Sequence, residues 1–180
     1  MLPALCIKNG EFLKHVIILI GPKGSGKTTI GRMIANELDI RYFDVEKHLI
    51  EYIHQHKIAG NDLPKHGFDI EEIEIRTILD NENAIIFEAT GSSEYFMHYY
   101  NMYSVEFNVI PIKLECSFET CLDRIIRRNH TDNFEVSVEK ISEIYDRSTT
   151  LELDWFQIHS TENNIIADEL IGKLEKEMRA

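Results

Sequence analysis

Gly21, Gly26, Lys27 and Thr28 follow the spacing G-x-x-x-x-G-K-[ST] within Gly21-Pro-Lys-Gly-Ser-Gly-Lys-Thr28, a pattern whose chemistry is the capture of a polyphosphate. Residues without Cβ let successive backbone N–H groups curl around an anion, at a helix start whose dipole already favours negative charge. Lys27 is spaced to reach the β and γ phosphates and the Thr28 hydroxyl to bind Mg²⁺. Gly24, Ser25 and Thr29 belong to the same nucleotide-binding stretch. At average residue usage the pattern arises by chance in roughly one chain of this length in two hundred. The context it demands is also present: an apolar run from Val16 to Ile20 before it, and Ile30, Met33, Ile34 and Leu38 at helical spacing after it.

Two acids stand where short apolar runs end, Asp44 after Arg41-Tyr-Phe and Glu88 after Ala84-Ile-Ile-Phe. Carboxylates facing a phosphate loop across one cleft suit Mg²⁺-dependent phosphoryl transfer, one acid holding the metal through water while another orients or deprotonates an acceptor hydroxyl. Asp44 takes the acceptor and Glu88 the metal in this reading. The densest cationic run in the chain is Arg124-Ile-Ile-Arg127-Arg128. Arg124 and Arg128 share a helical face, and Arg127 or Arg128 could clamp transferring phosphates. Asp123 and Arg127 are also spaced for an ordinary i,i+4 surface pair. His48, His54 and His56 lack the spacing of a zinc site and read as solvated.

Those residues must be held by elements, and the pattern alternates strands with helices. Asn9-Gly10 suggests a hairpin turn ahead of the first core strand. Helices are expected over Lys27 to Leu38, Val45 to about His56, a stretch capped by Asp69, one opened by Ser92 or Ser93, Phe118 to Arg128 behind a Ser117 cap, Ser137 to Thr150, and Ile165 to Met178. Strands are expected at Val16 to Ile20, Arg41 to Asp44, Ala84 to Glu88, Val109 to Leu114 with Pro111 near its start or at an edge, and Trp155 to Ile158. The turn cluster Gly60 to Pro64 separates two helices. Phe96, Tyr99, Tyr100 and Tyr103 form an aromatic stripe that reads as packing. The polar stretch 129–136 reads as a lid loop. This alternation implies an α/β fold, a doubly wound parallel sheet with ligands at the carboxyl ends of its strands.

At 180 residues the chain reads as one domain, residues 1–14 being an N-terminal extension. A net charge of −12 argues against an extended nucleic-acid or anionic-membrane surface, because those partners need a basic footprint. Cys6, Cys116 and Cys121 give an odd count without metal spacing, which suits buried thiols in a reducing cytoplasm. No stretch reads as a signal peptide or a membrane span.

These features resemble the shikimate kinase and gluconate kinase branch of the small adenylate-kinase-like phosphotransferases. The resemblance rests on Gly21 to Thr28, Tyr42-Phe-Asp44-Val-Glu46, Gly67-Phe68 before a helix, Ala89-Thr90-Gly91, and the Arg124/Arg127/Arg128 lid entry. It implies a three-layer α/β/α P-loop fold with a five-stranded parallel sheet in the order 2-3-1-4-5 and a short lid. It further implies ATP and Mg²⁺, Asp44 near metal and acceptor, Glu46 as a substrate-binding acid, Arg124 near the adenine, and an arginine around 127–128 on ATP phosphates. Acceptor contacts are then expected at Asp44, Glu46, Asp69, Gly91 and Ser92. The departures lie in that half. Where shikimate kinases carry a carboxylate-binding arginine directly after Gly-Phe, this chain has Asp69, and Arg147 is only in the neighbourhood of their later arginine.

The reading is an ATP- and Mg²⁺-dependent kinase with an altered acceptor site. An acid at Glu88 also leaves open a nucleoside, nucleotide or polynucleotide-end kinase, and a degenerate ATP-binding regulatory module is the rival from another class. The Asn-Lys-x-Asp motif of a GTPase switch is absent from the sequence.

Overall fold

The computed structural model describes residues 7–8, 11–56, 63–127, 137–153, 156–159 and 165–178. The Asn9-Gly10 turn, Cys6, Arg128, Trp155, most of the Gly60 to Pro64 cluster and the 129–136 lid lie outside them. A small antiparallel hairpin, β1 (Ile7–Lys8) with β2 (Glu11–Phe12), precedes the main sheet. That sheet is five-stranded and parallel. Its strands are β3 (His15–Ile20), β4 (Arg41–Phe43), β5 (Ala84–Ala89), β6 (Asn108–Glu115) and β7 (Phe156–His159), ordered β4-β5-β3-β6-β7. Numbered within the sheet this is 2-3-1-4-5, as expected.

The central strand shows why. Every residue of β3 is buried, which an apolar strand tolerates only with both faces covered. Its alternate side chains divide two cores. Ile17 and Leu19 pack with Ile34 of α1 (Lys27–Leu38) and with Leu170 and Leu174 of α7 (Ile165–Glu177). Val16, Ile18 and Ile20 pack with Ile75 and Leu79 of α3 (Leu63–Asn81) and with Phe96, Tyr99 and Tyr103 of α4 (Phe96–Glu106). The fold is therefore a three-layer α/β/α sandwich, completed by α2 (Val45–His56), α5 (Phe118–Arg127) and α6 (Val138–Thr150).

Ser117 and Ser137 cap α5 and α6 through their hydroxyls, accepting from Thr120 N at 3.2 Å and Lys140 N at 3.3 Å. Asp69 does not cap a helix. α3 begins at Leu63, so Asp69 and the Gly67-Phe68 pair lie inside it, and the Asp69 carboxylate accepts from the Tyr99 hydroxyl instead. Pro111 is in an interior strand, not at an edge; it lies one residue before the β6–β7 pairing begins at Ile112.

His15 opens β3 without any exposure to solvent. The Asn108 side-chain amide donates to its Nδ1 at 3.1 Å, which leaves the proton on Nε2, where no acceptor is found among the described residues. Burial lowers the His15 pKa below the ordinary 6.5. The unfolded chain then binds the proton more readily than the folded one below pH about 6.5, so this stability is present above that pH and lost as pH falls. Denaturant melts at steps from pH 7.5 to 5.5 should show a steeper loss in the wild type than in His15→Leu; parallel curves would contradict the assignment.

Candidate active site

The turn from β3 into α1 is made by glycines. Gly24 and Gly26 have φ of 86° and 96°, the left-handed region that other residues enter at a cost. A Cβ on Gly24 would lie 2.4 Å from the Cys121 carbonyl oxygen, so the loop backbone packs directly on α5. Gly26 precedes α1 with no side-chain cap, and the first turn carries no acid. The N–H groups of this helix start are thus left to an anion. Buried Ser25 Oγ has no hydrogen-bond partner among the described residues, and Lys27 Nζ folds back onto the carbonyls of Gly21 and Pro22, each at 2.9 Å. An uncapped helix start, a cradle that Cβ atoms would fill and a buried lysine fit a nucleotide's phosphates.

A cavity of about 370 Å³ opens in front of this loop. Gly24, Gly26, Lys27 and Thr28 line its donor end, with Glu46 and Glu88 across from them. The Thr28 hydroxyl donates to Glu88 Oε1 at 2.8 Å, and the Tyr42 hydroxyl reaches the same oxygen at 3.1 Å. Burial and then the charges of Glu88 and Asp44 hold the Tyr42 phenol far above its usual range, so it remains a donor. Hydroxyl and carboxylate oxygens side by side fit Mg²⁺, which takes few protein ligands and completes its shell with water and phosphate. No cluster of three or more His, Cys, Asp or Glu suited to a metal exists among the described residues.

Several expected site residues are placed elsewhere. Asp44 does not line the cavity. Its carboxylate accepts from Lys47 N at 3.1 Å, capping α2, and pairs with Arg32 at 2.9 Å. Glu46, two residues on, does line it and is bonded by Lys23 at 2.7 Å. Arg127 is exposed and forms the i,i+4 pair with Asp123 at 2.9 Å. Arg124 lies against the loop, its guanidinium 3.4 Å from the carbonyls of Gly24 and Ser25 and 3.6 Å from Cys116 Sγ. Gly21 and Ser25 are buried beneath the loop, and Thr29 is exposed on α1.

On the acceptor side Gly91 lines the cavity, but Asp69 and Ser92 do not. Ser92 Oγ is bonded to Thr90 Oγ1 at 2.9 Å, while its carbonyl accepts from Arg147 at 3.4 Å. Thr90 and Ser93 line the wall in its place. His48 is partly buried against Phe43 with Nδ1 unpartnered, so only His54 and His56 are solvated as expected. Cys121 is buried, but Cys116 only partly. The aromatic stripe of α4 both packs the core and lines the cavity. Sequence reasoning missed Lys23, Tyr42 and Glu71 as cavity or site residues. The signal for Glu71 was present, since Phe68, Glu71 and Ile75 fall on one helical face.

The family profile described as "Shikimate kinase" matches residues 23–176. A shikimate kinase of Sulfurihydrogenibium is 25% identical over 89% of this chain and 98% of its own length. One of Buchnera aphidicola from Schizaphis graminum is 31% identical over 63% of this chain, a match spanning 65% of that enzyme. The crystal structure of shikimate kinase from Aquifex aeolicus superposes with a TM-score of 0.58 at 18% identity, covering 92% of this chain and 99% of that one; at that identity it bears on the fold alone.

The loop geometry ranks two substitutions. Gly24→Ala drives a Cβ into backbone, whereas at Gly91, with φ of 72°, a Cβ meets only side-chain methyls of Leu151 and Ile20. Both should lower the melting temperature, the left-handed conformation costing each about 1–2 kcal/mol, and Gly24→Ala should lower it further. Thermal melts giving the reverse order would contradict the packing described.

Proposed function

Because the chain belongs to the shikimate kinase family, we propose that it is an ATP- and Mg²⁺-dependent kinase passing the γ-phosphoryl group to a hydroxyl of a small molecule other than shikimate. The observation that carries this reading is the 2.8 Å contact between the Thr28 hydroxyl and the Glu88 carboxylate at the mouth of the glycine loop. In the proposal the loop N–H groups and Lys27 hold the β and γ phosphates, Lys27 following the charge as the phosphoryl group moves. Thr28 and Glu88 hold Mg²⁺, which when bound neutralises phosphate oxygens and orients them. Arg124 braces the loop from behind and borders the nucleotide.

Glu46 takes the acceptor hydroxyl. It lines the cavity, and Lys23, a member of the glycine loop, fixes its carboxylate at 2.7 Å. A carboxylate so held can orient the hydroxyl and receive its proton. Asp44 acts at one remove, capping the helix that carries Glu46 and adding negative charge near Tyr42. Arg127 and Arg128 remain candidates for closing over the phosphates, Arg127 after leaving its exposed pair with Asp123.

Charge is the reason for setting shikimate aside. Among the described residues no arginine lines the cavity, and the acids nearest the phosphate loop are Glu46 and Glu88. Arg76, the arginine nearest along the chain to the expected position, is committed to Glu72 and Glu106 on the outer surface. A carboxylate acceptor entering this space would meet like charge, with no guanidinium of the described residues lining it to receive it.

Purified protein with Mg²⁺ and labelled ATP, offered shikimate, gluconate, neutral alcohols, nucleosides and nucleoside monophosphates, tests the reading through phosphorylated product. A neutral acceptor should be labelled and shikimate should stay at background; label on shikimate would overturn the altered-site claim. With the working acceptor, Lys27→Ala should lower kcat by about 10²-fold or more. Glu46→Gln should lower it more than Asp44→Asn, and the opposite order would return the acceptor role to Asp44.

A further inference from the structure

The part of the cavity farthest in chemistry from the phosphate loop is walled by rings. Phe68, Phe96, Tyr99, Tyr100 and Tyr103 line it. Phe68 and Tyr99 lie stacked, centroids 5.0 Å apart and planes 18° from parallel, so their faces set a common plane direction for a flat guest. One polar side chain interrupts this wall. Glu71, on the same face of α3 as Phe68 and Ile75, lines the cavity and makes no hydrogen bond or ion pair with any described residue.

Its neighbours are all committed. Asp69 accepts from the Tyr99 hydroxyl, and Glu72 is bound by Arg76. Glu71 is half-buried, and its carboxyl, without a partner among the described residues, is open to a guest in the cavity. Burial pushes the Glu71 carboxyl up to about 8, so at neutral pH it carries its proton. A protonated carboxyl offers an O–H donor beside a carbonyl acceptor. That pair complements the edge of a heteroaromatic ring bearing a donor next to an acceptor, whereas a cationic guest would first have to remove the proton.

Resting on the kinase reading above, we propose that the acceptor is a nucleoside: its base lies along the aromatic wall with its polar edge on Glu71, and its sugar hydroxyl meets Glu46 before the phosphate loop. A nucleotide is disfavoured by the same charges that disfavour shikimate. The lysine lining the cavity outside the helix start, Lys23, is already bonded to Glu46.

The test uses the full chain with Mg²⁺ and ATP and offers purine and pyrimidine nucleosides beside choline and ethanolamine as cationic alcohols and shikimate as an anionic one. At least one nucleoside should be phosphorylated. Glu71→Leu, similar in bulk but without polar atoms, should raise the nucleoside KM by about tenfold or more. Glu71→Gln, which keeps a donor beside an acceptor, should hold it within about threefold. ATP affinity should be unchanged in both, and thermal melts of the two variants separate misfolding from lost recognition. If a cationic alcohol is the acceptor while nucleosides are inert, the inference falls and the kinase reading stands; label on shikimate with nucleosides inert overturns both the inference and the altered acceptor site. Equal nucleoside KM values in Glu71→Leu and the wild type would also overturn it. If ATP binds and no acceptor of any class is phosphorylated, both fall together.

Discussion

The chain must leave the buried end of β3 and enter α1 through a left-handed backbone at Gly24 and Gly26, and the arrangement around it depends on that turn. Because the turn carries no Cβ, the loop can press against α5, with the Cys121 carbonyl where a side chain would otherwise stand. Because it ends in a helix without a side-chain cap, the N–H groups of that helix start face the cavity's donor end uncapped. A fully buried β3 holds the turn rigidly, since both faces of that strand are enclosed by separate cores. The site is therefore preorganised by packing that has nothing to do with phosphate.

Around the loop, the polar side chains are paired in a way that sorts donor from acceptor. Thr28 with Glu88, and Lys23 with Glu46, each join the loop to a different neighbouring element, β5 and the start of α2. The loop behind the acceptor wall is tied down from α6: Ser148, which is buried, donates to the Thr90 carbonyl, and Arg147 donates to that of Ser92. An arginine in this neighbourhood is thus spent on backbone, which leaves the acceptor wall to rings and acids.

Most of the fold was legible because periodicity and caps are local. α1 and α2 match their expected spans, and Ser117 and Ser137 act as the caps their positions suggested. The strand order followed from resemblance, and the buried run of β3 explains it physically. The candidate site was legible only in its donor half, where a contiguous motif fixes its own geometry. Spacing identified Asp44 as a strand-end acid but could not show that backbone N–H groups of α2 and Arg32 would claim it, leaving Glu46 to face the cavity. Arg127 was claimed in the same way by its i,i+4 neighbour. Asp69 was misplaced because a helix beginning earlier, at Leu63, carried it out of the cap position. Lys23, Tyr42 and Glu71 acquire their surroundings from elements remote in sequence, which a single sequence does not reveal.

In the proposed site Thr28 and Glu88 form the metal-bearing base beneath the glycine loop. Calorimetric titration of ATP, with Mg²⁺ and then with chelator, into the wild type and Glu88→Gln tests it most directly. Mg²⁺ should strengthen ATP binding to the wild type, and Glu88→Gln should still bind ATP but lose most of that strengthening. An undiminished Mg²⁺ effect in Glu88→Gln would contradict it.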